Sequence, residues 1–201
     1  MPLEEVIKYN HRGDEEALNV MMVMNCAPLL KGMKSSVIIT IPTRLTDILI
    51  RELSLTPYKY IIFKRDSKKT LLMLYHAERL ADYLSDPKVM SGLNKYGYSL
   101  NTCKSKEGIL ISALSRLTGR MRGYYDGLCG FPHETGYFLQ YPIKDIEMFV
   151  LNDGKNFIMT GYWKVYDNPD KAKKTFKAYD KAREDLVRSV ISGKKFYELV
   201  A

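Results

Sequence analysis

A thiol, an imidazole and a carboxylate fall within six consecutive positions of the chain, at Cys129, His133 and Glu134. A thiol can act as a nucleophile, an imidazole can carry a proton near neutral pH, and a carboxylate can orient or charge that imidazole. We therefore predict that these three residues form a catalytic group, in a turn shaped by Pro132 and Gly136. The alternative is a hydrogen-bonded histidine in a packing corner, because adjacent side chains diverge in regular structure.

Two other segments carry side chains suited to ligand binding. Cys26 and Lys34 flank the exit from a predicted helix, and the lysine there could attract an anionic group. Tyr162, Lys164 and Tyr166 alternate along a predicted strand, so they would share one face that stacks a planar ligand and holds its anion. The alternatives are a buried, unreactive Cys26 and an outer strand face with amphipathic tyrosines and a solvated lysine.

The sequence lacks the patterns of common cofactor sites. Gly32, Lys34 and Ser35 resemble the end of a phosphate-binding loop, but the required spacing is absent and the segment leads from a helix into a strand. The three cysteines are widely spaced, with no Cys-x-x-Cys pair and no cluster at zinc spacing. We predict no metal site and a reducing, cytoplasmic location, and the cofactor stays undetermined.

The formal net charge of +8 raises a polyanion as a partner. Between Asp170 and Lys195 there are nine basic and four acidic residues, so much of the excess lies on one predicted helix. A solvated helix face accounts for this run, and no nucleic-acid motif accompanies it. A nucleic acid is therefore a partner that we consider but do not favour, and an anionic small molecule is the other.

Length and composition predict one globular domain over residues 1–201, since 46% of the residues are hydrophobic and 27% are charged. The most apolar early stretch, residues 17–30, follows three acidic residues and contains Asn19, Asn25 and Pro28. This pattern fits neither a signal peptide nor a membrane span, so we expect no membrane partner.

Periodicity and turn residues predict helices packed on a small, mixed and partly antiparallel sheet, an α+β or α/β fold with a long C-terminal helix. The predicted helices cover 14–25, 43–53, 77–84, 87–94, 108–117, 142–151 and 168–192. The predicted strands cover 37–41, 58–64, 70–75 and 156–166, and residues 119–130 are predicted to be loop.

Three separated motifs carry a resemblance to a known family. They are Asn25–Lys34, Phe131–Glu134 with Gly136, Phe138, Leu139 and Tyr141-Pro142, and Gly161–Tyr166. Together they resemble an uncharacterised bacterial family known only as a domain of unknown function, over nearly the whole chain. The family pattern has an aliphatic residue in place of Thr135 and a glycine in place of Gln140. The resemblance implies no activity, cofactor or catalytic residue.

Two functions from different classes follow from these observations. The one we favour is a small-molecule-binding protein, or an enzyme, with a pocket built from residues 26–34, 129–134 and 162–166. The alternative is a non-catalytic interaction or regulatory module whose basic C-terminal helix contacts a protein or polyanion. Convergence of the three segments would favour the first function, and their separation would favour the second.

Overall fold

The computed structural model describes residues 13–200, and it confirms the α+β class. The α-helices are α1 (Asp14–Leu30), α2 (Thr46–Leu53), α3 (Ala77–Leu84), α4 (Pro87–Asn94), α5 (Lys106–Tyr125), α6 (Thr135–Phe138), α7 (Ile143–Leu151) and α8 (Pro169–Ile191). The strands are β1 (Ser36–Pro42), β2 (Tyr58–Arg65), β3 (Lys69–His76), β4 (Met159–Thr160) and β5 (Lys164–Val165). Short 3₁₀ helices cover Thr43–Leu45, Leu100–Thr102 and Phe196–Glu198.

The chain divides into two compact units. The first contains residues 13–75 and 177–200, and the second contains residues 76–176, so the boundary crosses α8 after Phe176. Each unit has a buried apolar cluster of its own. The single domain expected from composition stays a prediction.

The first unit contains the predicted hairpin and strand, in the order β1-β3-β2. β1 and β3 are antiparallel, with Ser36 opposite Tyr75 and Pro42 opposite Lys69. Asp66 shapes the turn between β2 and β3, because its carboxylate accepts hydrogen bonds from the backbone N–H groups of Lys68 and Lys69 at 2.8 and 2.9 Å. The β-branched run and the polar turn therefore predicted this sheet correctly.

Helix α1 packs against β1 and continues beyond its predicted end near residue 25. Pro28 lies inside its last turn, and the Pro28 carbonyl accepts hydrogen bonds from the backbone N–H groups of Met33 and Lys34. Gly32 then takes the left-handed conformation, with φ of 65°, and the helix has ended. The predicted helix end was wrong because Pro28 is accommodated in the last turn. Its own carbonyl is still satisfied there, by N–H groups of the chain that follows the helix.

In the second unit, α3 packs along α5, and both helices bury leucine side chains. Ser105 caps α5 by accepting a hydrogen bond from the backbone N–H of Gly108 at 3.1 Å. The helix continues to Tyr125, through a glycine-rich stretch that we predicted to be loop. At Gly123, an added Cβ would lie 3.1 Å from the Cys129 thiol, so this glycine allows the returning chain to lie close to the helix.

The single strand predicted over residues 156–166 is wrong. The segment forms an antiparallel hairpin instead, whose strands β4 and β5 are two residues long each. The backbone N–H of Gly161 donates to the carbonyl of Trp163 at 3.1 Å and closes the turn. An added Cβ on Gly161 would lie 2.2 Å from the Phe176 ring, so the turn needs glycine. The expected alternation of Tyr162, Trp163 and Lys164 is lost as a result.

Candidate functional site

A cavity of about 340 Å³ lies in the second unit and brings two of the three predicted segments together. Phe131 and His133 come from the first of these segments, and Tyr162 and Lys164 come from the second. The full lining is Phe131, His133, Thr135, Gly136, Leu139, Tyr141, Asp145, Ile146, Phe149, Tyr162, Trp163 and Lys164. Most of these side chains are aromatic or aliphatic, which is typical of a small-molecule site.

A tight turn places His133 at this cavity. The Pro132 carbonyl accepts hydrogen bonds from the Thr135 backbone N–H at 3.0 Å and from the Thr135 hydroxyl at 2.6 Å. Gly136 follows, and an added Cβ there would lie 2.9 Å from Ile146, so α6 and α7 approach closely only with glycine. The turn predicted from Pro132 and Gly136 therefore exists, and His133 lies on its exposed side.

Aromatic rings form two contact groups around the cavity. The His133 ring lies between Phe131 and Phe149, with centroid distances of 5.6 and 5.4 Å. In the second group, the Trp163 ring lies 5.5 Å from Tyr141, and their planes are 31° apart. Rings at these distances attract one another, and aromatic side chains that line a cavity can stack against a planar molecule.

Lys164 brings a positive charge to the cavity. Its ammonium donates a hydrogen bond to the Gly154 carbonyl at 2.7 Å and lies over the rings of Phe149 and Phe157, at 5.6 and 4.9 Å from their centroids. Within residues 13–200, no carboxylate lies at ion-pair distance from it. An ammonium has three N–H donors, so two stay available to a ligand.

Asp145 is the carboxylate among the lining residues, and it is fully engaged with the protein. It is 3% exposed and accepts hydrogen bonds from the Trp163 indole N–H at 2.7 Å and from the backbone N–H groups of Tyr166 and Asp167 at 2.8 and 3.0 Å. It therefore holds the β5 segment against α7. Sequence reasoning missed Asp145, although a tryptophan that is to be buried needs an acceptor for its N–H.

Glu134 is completely buried and does not contact His133. Its carboxylate forms a two-point ion pair with Arg120, through Nε and through Nη2, the latter at 3.2 Å from Oε2. It also accepts a hydrogen bond from the Tyr98 hydroxyl at 3.3 Å. Burial, followed by the Glu134 charge, raises the pKa of Tyr98, and the hydrogen bond that Arg120 donates to Glu134 raises the pKa of Arg120. Glu134 thus anchors the turn to α5.

The predicted catalytic group of Cys129, His133 and Glu134 is not assembled at the cavity. Cys129 is exposed, its thiol lies 3.6 Å from the Arg120 carbonyl, and neither it nor Glu134 is a lining residue. The three residues are adjacent in sequence, but the turn sends their side chains to different partners. His133 is the member of the group that faces the cavity.

The structure places Cys26 and Lys34 in the first unit, and Tyr166 in the second unit but outside the cavity lining. Cys26 is completely buried, and burial raises the pKa of its thiol to about 12, which is the opposite of a reactive thiolate. Lys34 is half-buried, and burial lowers its pKa to about 8. The Tyr166 hydroxyl is buried without a hydrogen-bond partner among the described residues.

The basic residues of α8 are largely paired or solvated. Three of them form ion pairs with an acidic residue one helical turn earlier. The pairs are Lys173–Asp170 at 3.8 Å, Arg183–Asp180 at 2.6 Å and Arg188–Glu184 at 3.9 Å. Four further lysines are exposed, namely Lys171, Lys174, Lys177 and Lys181. Exposed pairs of this kind contribute little to stability, and they occur on ordinary solvated helices.

In the part of the chain that the structure describes, no three His, Cys, Asp or Glu side chains are placed to hold a metal ion. No helix in residues 13–200 is both long and apolar enough to span a membrane.

A family model described as a protein of unknown function, DUF3793, matches residues 22–200. The chain belongs to this family. The resemblance predicted from the three motifs is confirmed, and the DUF3793 match extends through both compact units. No curated protein and no solved structure matches the chain.

The backbone conformation at position 140 favours glycine. Gln140, where the resemblance expects glycine, adopts a left-handed conformation with φ of 55° just after α6. Glycine takes this conformation without the steric cost that a side chain brings. The glycine that the resemblance expects at position 140 would adopt this conformation at lower cost than Gln140.

Proposed function

We propose that the second unit binds a small, planar and largely apolar molecule in the cavity between α6, α7 and the β4–β5 turn. The convergence of the Phe131–Glu134 and Gly161–Tyr166 motifs on one cavity carries this proposal. A volume of about 340 Å³ is at the small end of the range for ligand pockets, so a molecule with up to three rings is the expected size.

The shape of the ligand follows from the cavity walls. Trp163 and Tyr141 form one pair of lining rings, and Phe149 and His133 form another. Stacking on these rings favours a flat molecule, while Leu139 and Ile146 supply aliphatic contacts.

His133 is the group that we propose to contact a polar atom of the ligand. It is exposed at the cavity, and its ring is held by contacts with two phenylalanines rather than by a carboxylate. If the protein is an enzyme, proton transfer by His133 is the chemistry that this arrangement favours. Glu134 and Cys129 have no part in that proposal.

Trp163 provides a direct test, because it is the chain's one tryptophan and it lines the cavity. The neutral aromatic amine phenylnaphthylamine is titrated into the protein while tryptophan emission is followed. We expect saturable quenching, and about a tenfold weaker affinity in a Leu139→Phe variant whose larger ring fills the cavity. Leu151→Phe is the matched control, since Leu151 is 76% exposed and does not line the cavity.

Equal affinities of the wild-type protein and the Leu139→Phe variant would overturn the proposal, because the probe would then be bound elsewhere. Unchanged Trp163 emission at saturating probe would overturn it as well. His133→Ala is expected to keep the fold, because the His133 side chain is exposed. It is expected to weaken the binding of ligands that carry a hydrogen-bonding group.

A further inference from the structure

We infer that the natural ligand of this cavity is an aromatic acid, and that Lys164 holds its carboxylate. This inference rests on the proposed function, because it names the chemical class of the molecule that the cavity binds. In this inference, Lys164 selects ligands that carry an anionic group, and the aromatic side chains beside it orient the ring of the ligand.

The first observation is an imbalance of charge at the cavity. Lys164 is half-buried, yet within residues 13–200 no carboxylate pairs with it. Asp145, the acidic lining residue, accepts three hydrogen bonds from Trp163, Tyr166 and Asp167. Removing a charge from water without a counter-ion is unfavourable, so an anionic ligand at Lys164 supplies the missing partner.

The second observation is that the ammonium is held in place but not saturated. Its contacts are the Gly154 carbonyl and the faces of Phe149 and Phe157. An ammonium already held over aromatic rings loses little further freedom when it binds a ligand, and hydrogen bonds to a charged acceptor are about twice as strong as neutral ones. The two remaining N–H donors match the two oxygens of a carboxylate.

The same geometry argues against a cationic ligand. The rings of Phe149 and Phe157 would attract a cation, but the Lys164 ammonium already lies over both of them. A second positive charge there would be repelled. An aromatic ring is the expected body of the acid, because aromatic side chains line the cavity next to Lys164. The rings of Phe149 and His133 are there, with 5.4 Å between their centroids.

The position of the carboxylate is tested with two probes that share one ring skeleton. Anilinonaphthalene sulfonate carries an anionic group, and phenylnaphthylamine lacks it. Trp163 quenching gives the affinity of each probe, and their ratio measures the preference for the anion. We expect Lys164→Met to weaken the sulfonate about tenfold or more, with phenylnaphthylamine unchanged and Lys164→Arg close to wild type.

Methionine places an unbranched apolar side chain beside Phe149 and Phe157 while removing the charge. Lys164→Gln, which keeps a donor for the Gly154 carbonyl, takes its place if the methionine variant does not fold. Lys155→Met is the control for loss of a positive charge, since Lys155 is exposed and lies outside the lining. It is expected to leave the ratio of affinities unchanged.

The outcomes separate this inference from the proposed function. If phenylnaphthylamine binds and the ratio is the same in wild type, Lys164→Met and Lys164→Gln, the aromatic-acid inference is overturned while the cavity remains a binding site. If neither probe quenches Trp163, the proposed function itself fails. A fall in the ratio that Lys155→Met reproduces would show a general charge effect and would also overturn the role of Lys164.

Discussion

The indole N–H of Trp163 donates a hydrogen bond to the buried carboxylate of Asp145 at 2.7 Å. The other oxygen of Asp145 accepts hydrogen bonds from the backbone N–H groups of Tyr166 and Asp167. One side chain of α7 therefore fixes both the ring that forms a cavity wall and the chain that follows β5. The shape of the cavity depends on this carboxylate, although its charge is not free to bind a ligand.

Asp145→Ala should lower the free energy of unfolding by about 2–4 kcal/mol, because three partly buried donors lose their acceptor. We also expect a red shift of Trp163 emission, since the ring loses its anchor, and weaker binding of phenylnaphthylamine. Urea unfolding and fluorescence spectra measure both effects. Asp126→Ala removes an exposed carboxylate of the same unit and should leave both unchanged, and a stable Asp145→Ala variant with native emission would contradict this account.

Glu134 and His133 should respond differently to substitution. Glu134→Gln weakens a buried ion pair and leaves the Arg120 charge without its partner, so we expect a loss of about 3 kcal/mol in the free energy of unfolding. His133→Ala removes an exposed side chain and should cost less than about 1 kcal/mol. Urea unfolding measures both variants, and similar stabilities would mean that the ion pair with Arg120 does not anchor the turn.

Local signals predicted the elements well, and tertiary partners explain most of what was missed. The run Val37–Ile41, the Asp66 turn and Pro169 each act on neighbouring backbone, so the sequence indicated β1, the hairpin and α8. Gly119 and Gly123 suggested a loop, but packing of α5 overrode their low helix propensity. Propensity is a weak guide wherever the burial of a helix face decides the conformation.

The same limit applies to the site. His133, Tyr162 and Lys164 were predicted as site residues because their chemistry is visible in the sequence, and the structure places all three at the cavity. The partner of Glu134 was not predictable, because Arg120 lies in the stretch that was predicted to be loop. The role of Asp145 depends on a contact 18 residues away, which no local pattern encodes.

Two glycines should respond in opposite directions to alanine. Gly161→Ala places a Cβ within 2.2 Å of the Phe176 ring, and we expect a loss of about 1–3 kcal/mol as the aromatic cluster shifts. Gly119→Ala lies on an open face of α5 with no atom within 4 Å of the added Cβ, so it should gain about 0.5–1 kcal/mol. Thermal and urea unfolding of the two variants give the sign of each change in the free energy of unfolding. An unchanged free energy in Gly161→Ala would show that the Phe176 ring moves aside at no cost.

In the first unit, Glu52 makes stability fall as the pH rises. The side chain is 5% exposed, and its Oε2 atom has no hydrogen-bond partner among the described residues. Burial and then the charge of Glu15 raise the pKa of Glu52, while Lys195 and Arg51 oppose this rise. The folded state therefore holds the Glu52 proton more tightly than the unfolded state does. The contribution of this proton to the free energy of unfolding is complete below pH 4.5, the ordinary pKa of a glutamate. It is lost between that value and the raised pKa of the folded state.

Glu52→Gln should remove this pH dependence, because glutamine has the shape of the protonated acid and carries no charge. We expect the variant to match the wild type at low pH and to be more stable by about 1 kcal/mol or more at neutral pH, where the wild type buries an incompletely paired carboxylate. Urea unfolding of both proteins from pH 4 to pH 7.5 gives the difference at each pH. Glu184→Gln, at an exposed glutamate of the same unit, should show no such trend. If the difference between wild type and Glu52→Gln stays constant across this range, Glu52 does not titrate with a raised pKa in the folded protein.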